Sequence, residues 1–146
     1  SSNVSMRTSI RAAAARGLPI YAECGGFMYL AQELEDLEGH TYAMAGVLPG
    51  RSILKDTRLT LGYRTLRALH STCLLAAGET VRGHEFHFSS MQDASATVPA
   101  AYEVMDQPGR LEGAVLQHVL ASYMHIHLGS KASLAPRLVA ACADAR

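Results

Sequence analysis

A cysteine followed by two glycines marks a place in this sequence where a nucleophile can be built. Cys24 follows the apolar run IYAE and precedes Gly25, Gly26 and the segment FMYLAQEL. A cysteine on a sharp strand-to-helix turn projects above the sheet, and flanking glycines let backbone N–H groups approach an oxyanion. A helix N-terminus also stabilises a thiolate. A buried structural cysteine is the alternative, since free cysteine is often buried, and the residues alone leave both open.

A cysteine nucleophile needs a base, and a histidine within hydrogen-bond reach is the usual one. The sequence has seven histidines. Two clusters stand out, which are GHEFHF, with His84, Glu85 and His87, and SYMHIHL, with His125 and His127. In an extended segment His125 and His127 share one face, because side chains repeat every two residues along a strand. Periodicity does not choose between them.

The same clusters allow other interpretations. Their histidines could ligate a metal ion, but the spacing matches no zinc signature, so we expect no metal site. GHEFHF is typical either of an ordinary solvated edge strand or of an active-site wall. In the second case Glu85 and His87 would be buried and would need polar partners. Both interpretations of this segment stay open.

Composition limits the classes of function. The 146 residues are 49% hydrophobic and carry no net charge, which predicts one domain over residues 1–146 and no nucleic-acid partner. The three cysteines form no CxxC pair, which favours a reducing, cytoplasmic setting. The first residues lack the charged-then-apolar block that is typical of a signal peptide, and no apolar run approaches the ~20 residues that a membrane helix requires. We therefore expect no membrane partner.

The elements that would hold such a site surround it in the sequence. Residues 4–16 predict a helix that stops at Gly17. Residues 20–24 predict a short buried strand, and residues 25–39 a helix, because apolar side chains recur at helical spacing. This order predicts an α/β layered domain. Because doubly wound sheets open with a strand and this chain opens with a helix, we expect a C-terminal fragment of a longer polypeptide.

Further strands follow in the middle of the chain. Residues 57–69 alternate, with Leu61 and Tyr63 on one face, which predicts a half-buried strand. Residues 79–91 predict another strand, and shorter strands flank a QPGR turn. Residues 133–145 predict a closing helix.

Four motifs, in order along the chain, resemble one known family. YAECGGFMYL, LGYRTLRAL, RGHEFHFS and ASYMHIHLGS are similar to the glutaminase domain of cobyrinic acid a,c-diamide synthases. These domains form the cobyrinate/cobyrate synthase-like branch of class I, triad-type glutamine amidotransferases. The resemblance implies a three-layer, flavodoxin-like mixed sheet flanked by helices and truncated at its N-terminus.

The resemblance also implies an activity and its partners. L-glutamine would be hydrolysed, and its ammonia would pass to an ATP- and Mg²⁺-dependent ligase domain that amidates the a- and c-acetate groups of a corrin. The fragment itself would hold no cofactor, since GxxxxGK[ST] is absent from it. The acceptor could instead be cobyric acid, a nickel tetrapyrrole or a cell-wall precursor. Two alternatives lie outside this chemistry: an inert interaction module and a cysteine hydrolase unrelated to glutamine. In solution the chain could form a homodimer.

Residue roles carry over by motif position. The resemblance makes Cys24 the nucleophile of a thioester and His125 its base, with the Gly25 N–H as one oxyanion donor beside Gly26. The acid that commonly orients the histidine is replaced by His127, which leaves Glu85 as the substitute orienter. His87 and His127 would support the site. The family's glycine-rich oxyanion strand has no counterpart in this sequence, so the fragment alone is expected to be weakly active or inactive.

Overall fold

The computed structural model describes residues 2–55, 59–92 and 98–145. Its helices are α1 (Val4–Ala15), α2 (Gly25–Leu30) and α3 (Leu134–Asp144), with a 3₁₀ turn at Leu128–Ser130. Its strands are β1 (Ile20–Glu23), β2 (Glu33–Glu35), β3 (Thr41–Ala43), β4 (Arg51–Leu54), β5 (Thr60–Ala68), β6 (Thr80–His87), β7 (Ser89–Gln92), β8 (Tyr102–Val104), β9 (Leu111–Glu112), β10 (Ala114–Leu116), β11 (Val119–Ser122) and β12 (Met124–His125).

One parallel strand pair sets the position of the site. In the sheet β1-β11-β10, strand β1 runs parallel to β11, and Glu23 lies beside Ser122 in the register. The carboxyl ends of both strands therefore meet at one edge. Cys24 follows β1 there, and the short connection through Tyr123 to β12 follows β11. Crevices at such an edge are the usual binding places of open α/β sheets.

A second sheet receives the chain as it leaves β11. Its order is β12-β6-β5-β8-β9, and β12 pairs antiparallel with β6, so that His125 lies beside His84 and Met124 beside Glu85. Successive side chains on a strand point to opposite faces. His125 and His84 therefore share one face, and Glu85 belongs to the other. A third sheet, β3-β2-β4-β7, completes the strands.

Two clusters of buried side chains form the core. The first packs between the five-stranded sheet and α3, and its largest members are Leu66, Leu74, Leu75, Tyr102, Leu120, Met124 and Leu134. The second packs α2 against the parallel pair and includes Phe27, Leu30, Leu48, Ala121 and Tyr123. Phe27 meets Tyr123 edge to face at 5.2 Å. The segments before and after Cys24 are thus anchored by apolar packing.

Several predicted elements are confirmed. α1 begins after Asn3, whose side chain accepts the Met6 N–H at 3.0 Å, and Gly17 follows its end with φ +81°. The strand before Cys24, the closing helix α3 and the alternation in β6 are also observed. The single strand predicted over residues 79–91 is wrong, because this segment forms two strands, β6 and β7, in different sheets. None of the helices in the described ranges is long and apolar enough to cross a membrane.

The predicted helix over residues 25–39 is wrong beyond Leu30. Glu33–Glu35 is strand β2, which pairs with β3 on one side and β4 on the other. Arg51 on β4 contacts the carboxylates of Glu33 and Glu35 at 2.8 and 2.9 Å. Residues two apart share a strand face, so one guanidinium reaches both. Pairing with β4 therefore makes this segment a strand, although its apolar residues recur at helical spacing.

The strand β5 turns the face that carries Leu61 and Tyr63 toward solvent. Tyr63 is 71% exposed and Leu61 53%, whereas Leu66 and Ala68 on the alternate face are buried. The inward face also carries Arg64, whose Nε lies 2.7 Å from the buried Glu85 carboxylate. Because a buried carboxylate requires a countercharge, this pair determines which face of β5 points inward. Residues 57 and 58, at the start of the predicted strand, lie outside the described residues.

Candidate active site

Cys24 occupies a strained turn between β1 and α2. Its backbone has φ +49° and ψ −108°, a region that non-glycine residues rarely adopt. Its N–H donates to the Ser122 carbonyl at 2.8 Å, and its own carbonyl accepts the Met28 N–H at 3.1 Å. These hydrogen bonds hold Cys24 in the turn between strand and helix. The rare backbone conformation of Cys24 costs about 1–3 kcal/mol of strain. This is the geometry of a nucleophile elbow.

The thiol itself is accessible. Cys24 is only partly buried, and its S–H donates to the Phe86 carbonyl with a sulfur–oxygen distance of 3.7 Å. A contact of this length is weak and leaves the sulfur available to other partners. The interpretation of Cys24 as a buried structural cysteine is therefore not supported. The carbonyl belongs to β6, which therefore lies beside the sulfur.

The two glycines after Cys24 have different surroundings. A Cβ added to Gly25 would meet no atom within 4 Å. A Cβ added to Gly26 would lie 3.3 Å from the Ala22 Cβ, closer than ordinary packing. Gly26 thus lets α2 approach β1, while Gly25 keeps open space beside the start of α2. A binding role stays a prediction for both, and the open space makes Gly25 the better candidate.

His125 comes to the same edge of the sheet as Cys24. Its Nδ1 lies 3.8 Å from Glu23 Oε2, and its ring is 42% exposed. The Ile126 N–H donates to Glu23 Oε1 at 2.7 Å, which links the residue before Cys24 to the residue after His125. Within the described residues no hydrogen bond joins the Cys24 sulfur to the His125 ring. The structure thus brings the two segments together, but the Cys24 sulfur and the His125 ring are not hydrogen-bonded to each other.

Glu85 does not lie where an orienter of His125 would have to be. Its carboxylate is buried on the opposite face of β6 and accepts hydrogen bonds from Arg64 and Arg110 at 2.6–2.9 Å. Burial raises the pKa of Glu85, but the hydrogen bond from Arg110 and the charges of both arginines outweigh it and hold that pKa below its usual value. Glu85 is an ionised structural group, and the prediction that it orients His125 does not fit this geometry.

His87 and His127 have structural contacts. The His87 ring is buried, stacks on Tyr123 at 4.0 Å, and donates from Nδ1 to the Ser89 carbonyl at 2.8 Å. His127 begins the 3₁₀ turn, and its Nδ1 accepts the Gly129 N–H at 3.1 Å. His87 therefore packs against the connection between β11 and β12, and His127 caps the turn after β12. Of the two histidines in SYMHIHL, only His125 faces the Cys24 edge through Glu23.

Two acidic residues near the site were missed at the sequence level. In the sequence Glu23 is only the last residue of a predicted strand, although it directly precedes Cys24. Glu112 is buried, accepts the Ser122 hydroxyl at 2.5 Å and the Tyr123 N–H at 2.9 Å, and so fixes the end of β11. Burial raises the pKa of Glu112 despite these donors. An acid immediately before a nucleophile was the one local signal available for Glu23.

The histidine clusters do not converge on a metal site. Across the described ranges, the one group of side chains close enough to share an ion is Asp36, Glu38 and His40. These residues lie around the exposed turn between β2 and β3 and are held by their own hydrogen bonds. The residues of GHEFHF and SYMHIHL are not among them.

The fold and the elbow together define a class of protein. A crystal structure described as that of a glutamine amidotransferase has the same fold, with a TM-score of 0.64 and 18% sequence identity. The match covers 97% of this chain and 68% of that one. The predicted α/β, amidotransferase-like fold class is thereby confirmed.

The family follows from the sequence comparison. Residues 1–133 match the model of the CobB/CobQ-like glutamine amidotransferase domain, and the chain belongs to this family of enzymes. The predicted resemblance is confirmed.

The curated relatives are longer proteins named cobyrinate a,c-diamide synthase. The one from Dehalococcoides mccartyi is 38% identical over 144 residues, covering 95% of this chain and 31% of the relative. The one from Gloeobacter violaceus is 43% identical over 133 residues, covering 91% and 28%. The one from Salmonella typhimurium is 38% identical over 148 residues, covering 95% and 31%. The chain spans less than a third of the length of these relatives.

Proposed function

We propose that this chain hydrolyses L-glutamine through a thioester on Cys24. The observation that carries the proposal is the positive φ of Cys24, which presents an accessible thiol at the shared edge of β1 and β11. The hydrogen bond between Glu23 and Ile126 brings His125 to the same edge. A thiol and an imidazole held at one edge of a sheet are the minimum for nucleophilic acyl transfer.

The reaction has two halves. His125 takes the thiol proton, and the thiolate attacks the carboxamide carbon of glutamine, with the Gly25 N–H facing the oxyanion. The carbon–nitrogen bond breaks, the nitrogen takes the proton from His125, and ammonia leaves. His125 then activates water, which attacks the thioester, releases glutamate and restores the thiol. No step draws on a metal or an organic cofactor.

The ammonia would be used by another part of a longer protein. The matched relatives are synthases more than three times as long as this chain, and their name specifies the a,c-diamide of cobyrinate. We propose that residues 1–146 form one glutaminase domain of such a synthase in the cytoplasm. ATP and Mg²⁺ would serve the ligase part, which would amidate the corrin acetates. Cobyric acid, a nickel tetrapyrrole or a cell-wall precursor would require the same chemistry of this chain.

An exposed apolar surface supports docking of that part. The outer face of β5 and β6 carries Leu61, Tyr63 and Phe86, and Phe88 directly follows β6; all four are at least 44% exposed. Phe86 is also the residue whose carbonyl contacts Cys24. Contiguous apolar surface of this kind marks interaction sites. The ligase part of the longer protein is the proposed occupant, because a cover beside the thiol would keep ammonia from bulk water.

Labelling with the glutamine-analogue electrophile diazo-oxo-norleucine tests the glutaminase proposal. We expect one adduct on Cys24, lost in Cys24→Ala and slowed in His125→Ala. Cys73→Ala and Cys142→Ala are matched controls, and both should label normally. A folded chain that is not labelled would overturn the proposal for this chain, though not for a longer synthase that carries it, and would favour an inert interaction module. Labelling of Cys24 by iodoacetamide but not by the glutamine analogue would instead favour a cysteine hydrolase of other specificity.

A further inference from the structure

The acid nearest to His125 is the residue that precedes the nucleophile. Glu23 Oε2 lies 3.8 Å from His125 Nδ1, and the other ring close to His125 is His84, with centroids 6.1 Å apart. Glu85 is bound by two arginines on the opposite face of β6, and Glu112 is bound by Ser122. Among the described residues, Glu23 is the carboxylate that faces the ring.

The Glu23 carboxylate is fixed on its other side. Oε1 accepts the Ile126 N–H at 2.7 Å and also the Tyr21 hydroxyl. Burial, the hydrogen bond to Glu23 and the charge of Glu23 all raise the pKa of Tyr21, so its hydroxyl remains a donor. With Oε1 occupied by two donors, Oε2 is the oxygen left for the histidine. The pairing of Glu23 with Ser122 in the parallel register fixes the backbone as well.

We propose that Glu23 is the positioning residue of His125, completing a Cys24–His125–Glu23 arrangement in which one chain segment supplies both the nucleophile and the orienting acid. This inference rests on the proposed function. A carboxylate at Nδ1 holds the proton on that nitrogen and leaves Nε2 free to take the thiol proton. The distance of 3.8 Å exceeds a hydrogen bond. The ring is partly exposed and has room to turn, and catalytic hydrogen bonds are often long before substrate binds.

The substitution Glu23→Gln separates orientation from folding. The amide oxygen of glutamine can still accept the Ile126 N–H, so the link between the two segments is kept. The amide NH₂ would then face His125 Nδ1 and favour the proton on Nε2, the tautomer that cannot accept a proton from Cys24. Glu33→Gln is the matched control, because Glu33 is half-exposed and pairs with Arg51 in another sheet.

Labelling kinetics and NMR of the imidazole nitrogens provide two readouts on the 146-residue chain. We expect the wild type to carry the His125 proton on Nδ1, and Glu23→Gln to move it to Nε2. The maximal rate of Cys24 labelling by diazo-oxo-norleucine should fall about 100-fold, the lower end of the range of a general-base contribution. The half-saturating concentration should change by less than about twofold, because Glu23 does not touch the substrate. Glu33→Gln should match the wild type in both readouts.

The outcomes separate the two proposals. If the wild type is labelled and His125→Ala is slow, but Glu23→Gln keeps the wild-type rate and tautomer, the positioning role is wrong and the glutaminase proposal stands. If a folded wild-type chain is not labelled at Cys24, the glutaminase proposal fails, and the positioning role fails with it.

Discussion

Arg110 holds the buried Glu85 in a bidentate ion pair, with Nη1 2.9 Å from Oε1 and Nη2 2.6 Å from Oε2. Arg64 adds a third hydrogen bond to Oε1 at 2.7 Å. The three side chains come from β6, β5 and the segment before β9, so the pair fastens three parts of one sheet. A carboxylate with no exposed surface is tolerable only with this degree of compensation.

Loss of the Glu85 charge should destabilise the fold in a pH-dependent way. The arginines hold the pKa of Glu85 below its usual value, so the unfolded chain takes up its proton first as the pH falls. The contribution is complete above about pH 4.3, the unfolded pKa of a glutamate, and is lost as the pH falls through the folded value. Glu85→Gln leaves two guanidiniums unpaired and should cost about 3–5 kcal/mol in the free energy of unfolding near neutral pH.

Urea unfolding at neutral and acidic pH checks this prediction. The difference between wild type and Glu85→Gln should narrow as the pH falls below about 4. Glu103→Gln is the control, because Glu103 pairs with Arg67 at the surface, and should cost at most about 1 kcal/mol. An equal difference at both pH values would contradict the assignment of Glu85 as an ionised buried group.

Glu112 should show the opposite pH dependence. Burial raises its pKa, so the folded chain holds this proton more tightly than the unfolded chain. Stability from this group is therefore greatest below about pH 4.3 and declines as the pH rises toward the folded value. Glu112→Gln resembles the protonated acid and should remove that decline. Its urea midpoint at neutral pH should equal or exceed that of the wild type, and a clearly lower midpoint would contradict the prediction.

The sequence was most informative where structure is determined locally. The elbow at Cys24 could be predicted because a strand, a glycine pair and a helix adjoin within a dozen residues, and β6 because its alternation is complete. The role of Glu23 could not be, since its partner Ile126 lies 103 positions away. The buried face of β5 and the strand β2 likewise depend on Glu85 and on β4, which local hydropathy does not contain. Motif resemblance identified the family but not the acid beside His125.

The backbone strain at Cys24 should be measurable as stability. Glycine adopts a positive φ without steric cost, so Cys24→Gly should be more stable than Cys24→Ala by about 1 kcal/mol, despite the greater freedom of glycine in the unfolded chain. Cys73 is the matched control, because its φ is not positive, and glycine should there be less stable than alanine. The urea midpoints of the glycine and alanine variants of Cys24 and of Cys73 test this prediction. If alanine is the more stable substitution at both cysteines, the turn at Cys24 is unstrained.

The exposed face of β5 and β6 should matter only when the ligase part is present. Tyr63→Glu replaces the most exposed residue of that face with a charged one. In a full-length synthase carrying this domain, we expect at least a fivefold loss of glutamine-dependent amide formation (about 1 kcal/mol) with ammonia-dependent formation retained. Labelling of Cys24 in the isolated chain should not change. Val139→Glu, on exposed α3, is the control. Unimpaired glutamine-dependent synthesis in Tyr63→Glu would exclude this face as the docking surface.

Close approach of Gly26 to Ala22 should make two adjacent glycines respond differently to alanine. An added methyl at Gly26 would lie 3.3 Å from the Ala22 Cβ, whereas at Gly25 it would meet nothing within 4 Å. Overpacking costs about 1–3 kcal/mol and outweighs the gain of up to about 1 kcal/mol in helix propensity, so Gly26→Ala should be destabilising. Gly25→Ala should be neutral or slightly stabilising in urea unfolding, because its methyl meets nothing, but it should slow labelling of Cys24 by narrowing the open space beside α2.

A double-mutant cycle isolates that contact. Removing the Ala22 methyl in Ala22→Gly eliminates the atom that Gly26→Ala would strike, so in this background Gly26→Ala should become neutral or stabilising. The expected coupling energy is about 1–2 kcal/mol, measured from urea midpoints of the four proteins. Additive effects would mean that Gly26 is required for something other than the approach of α2 to β1.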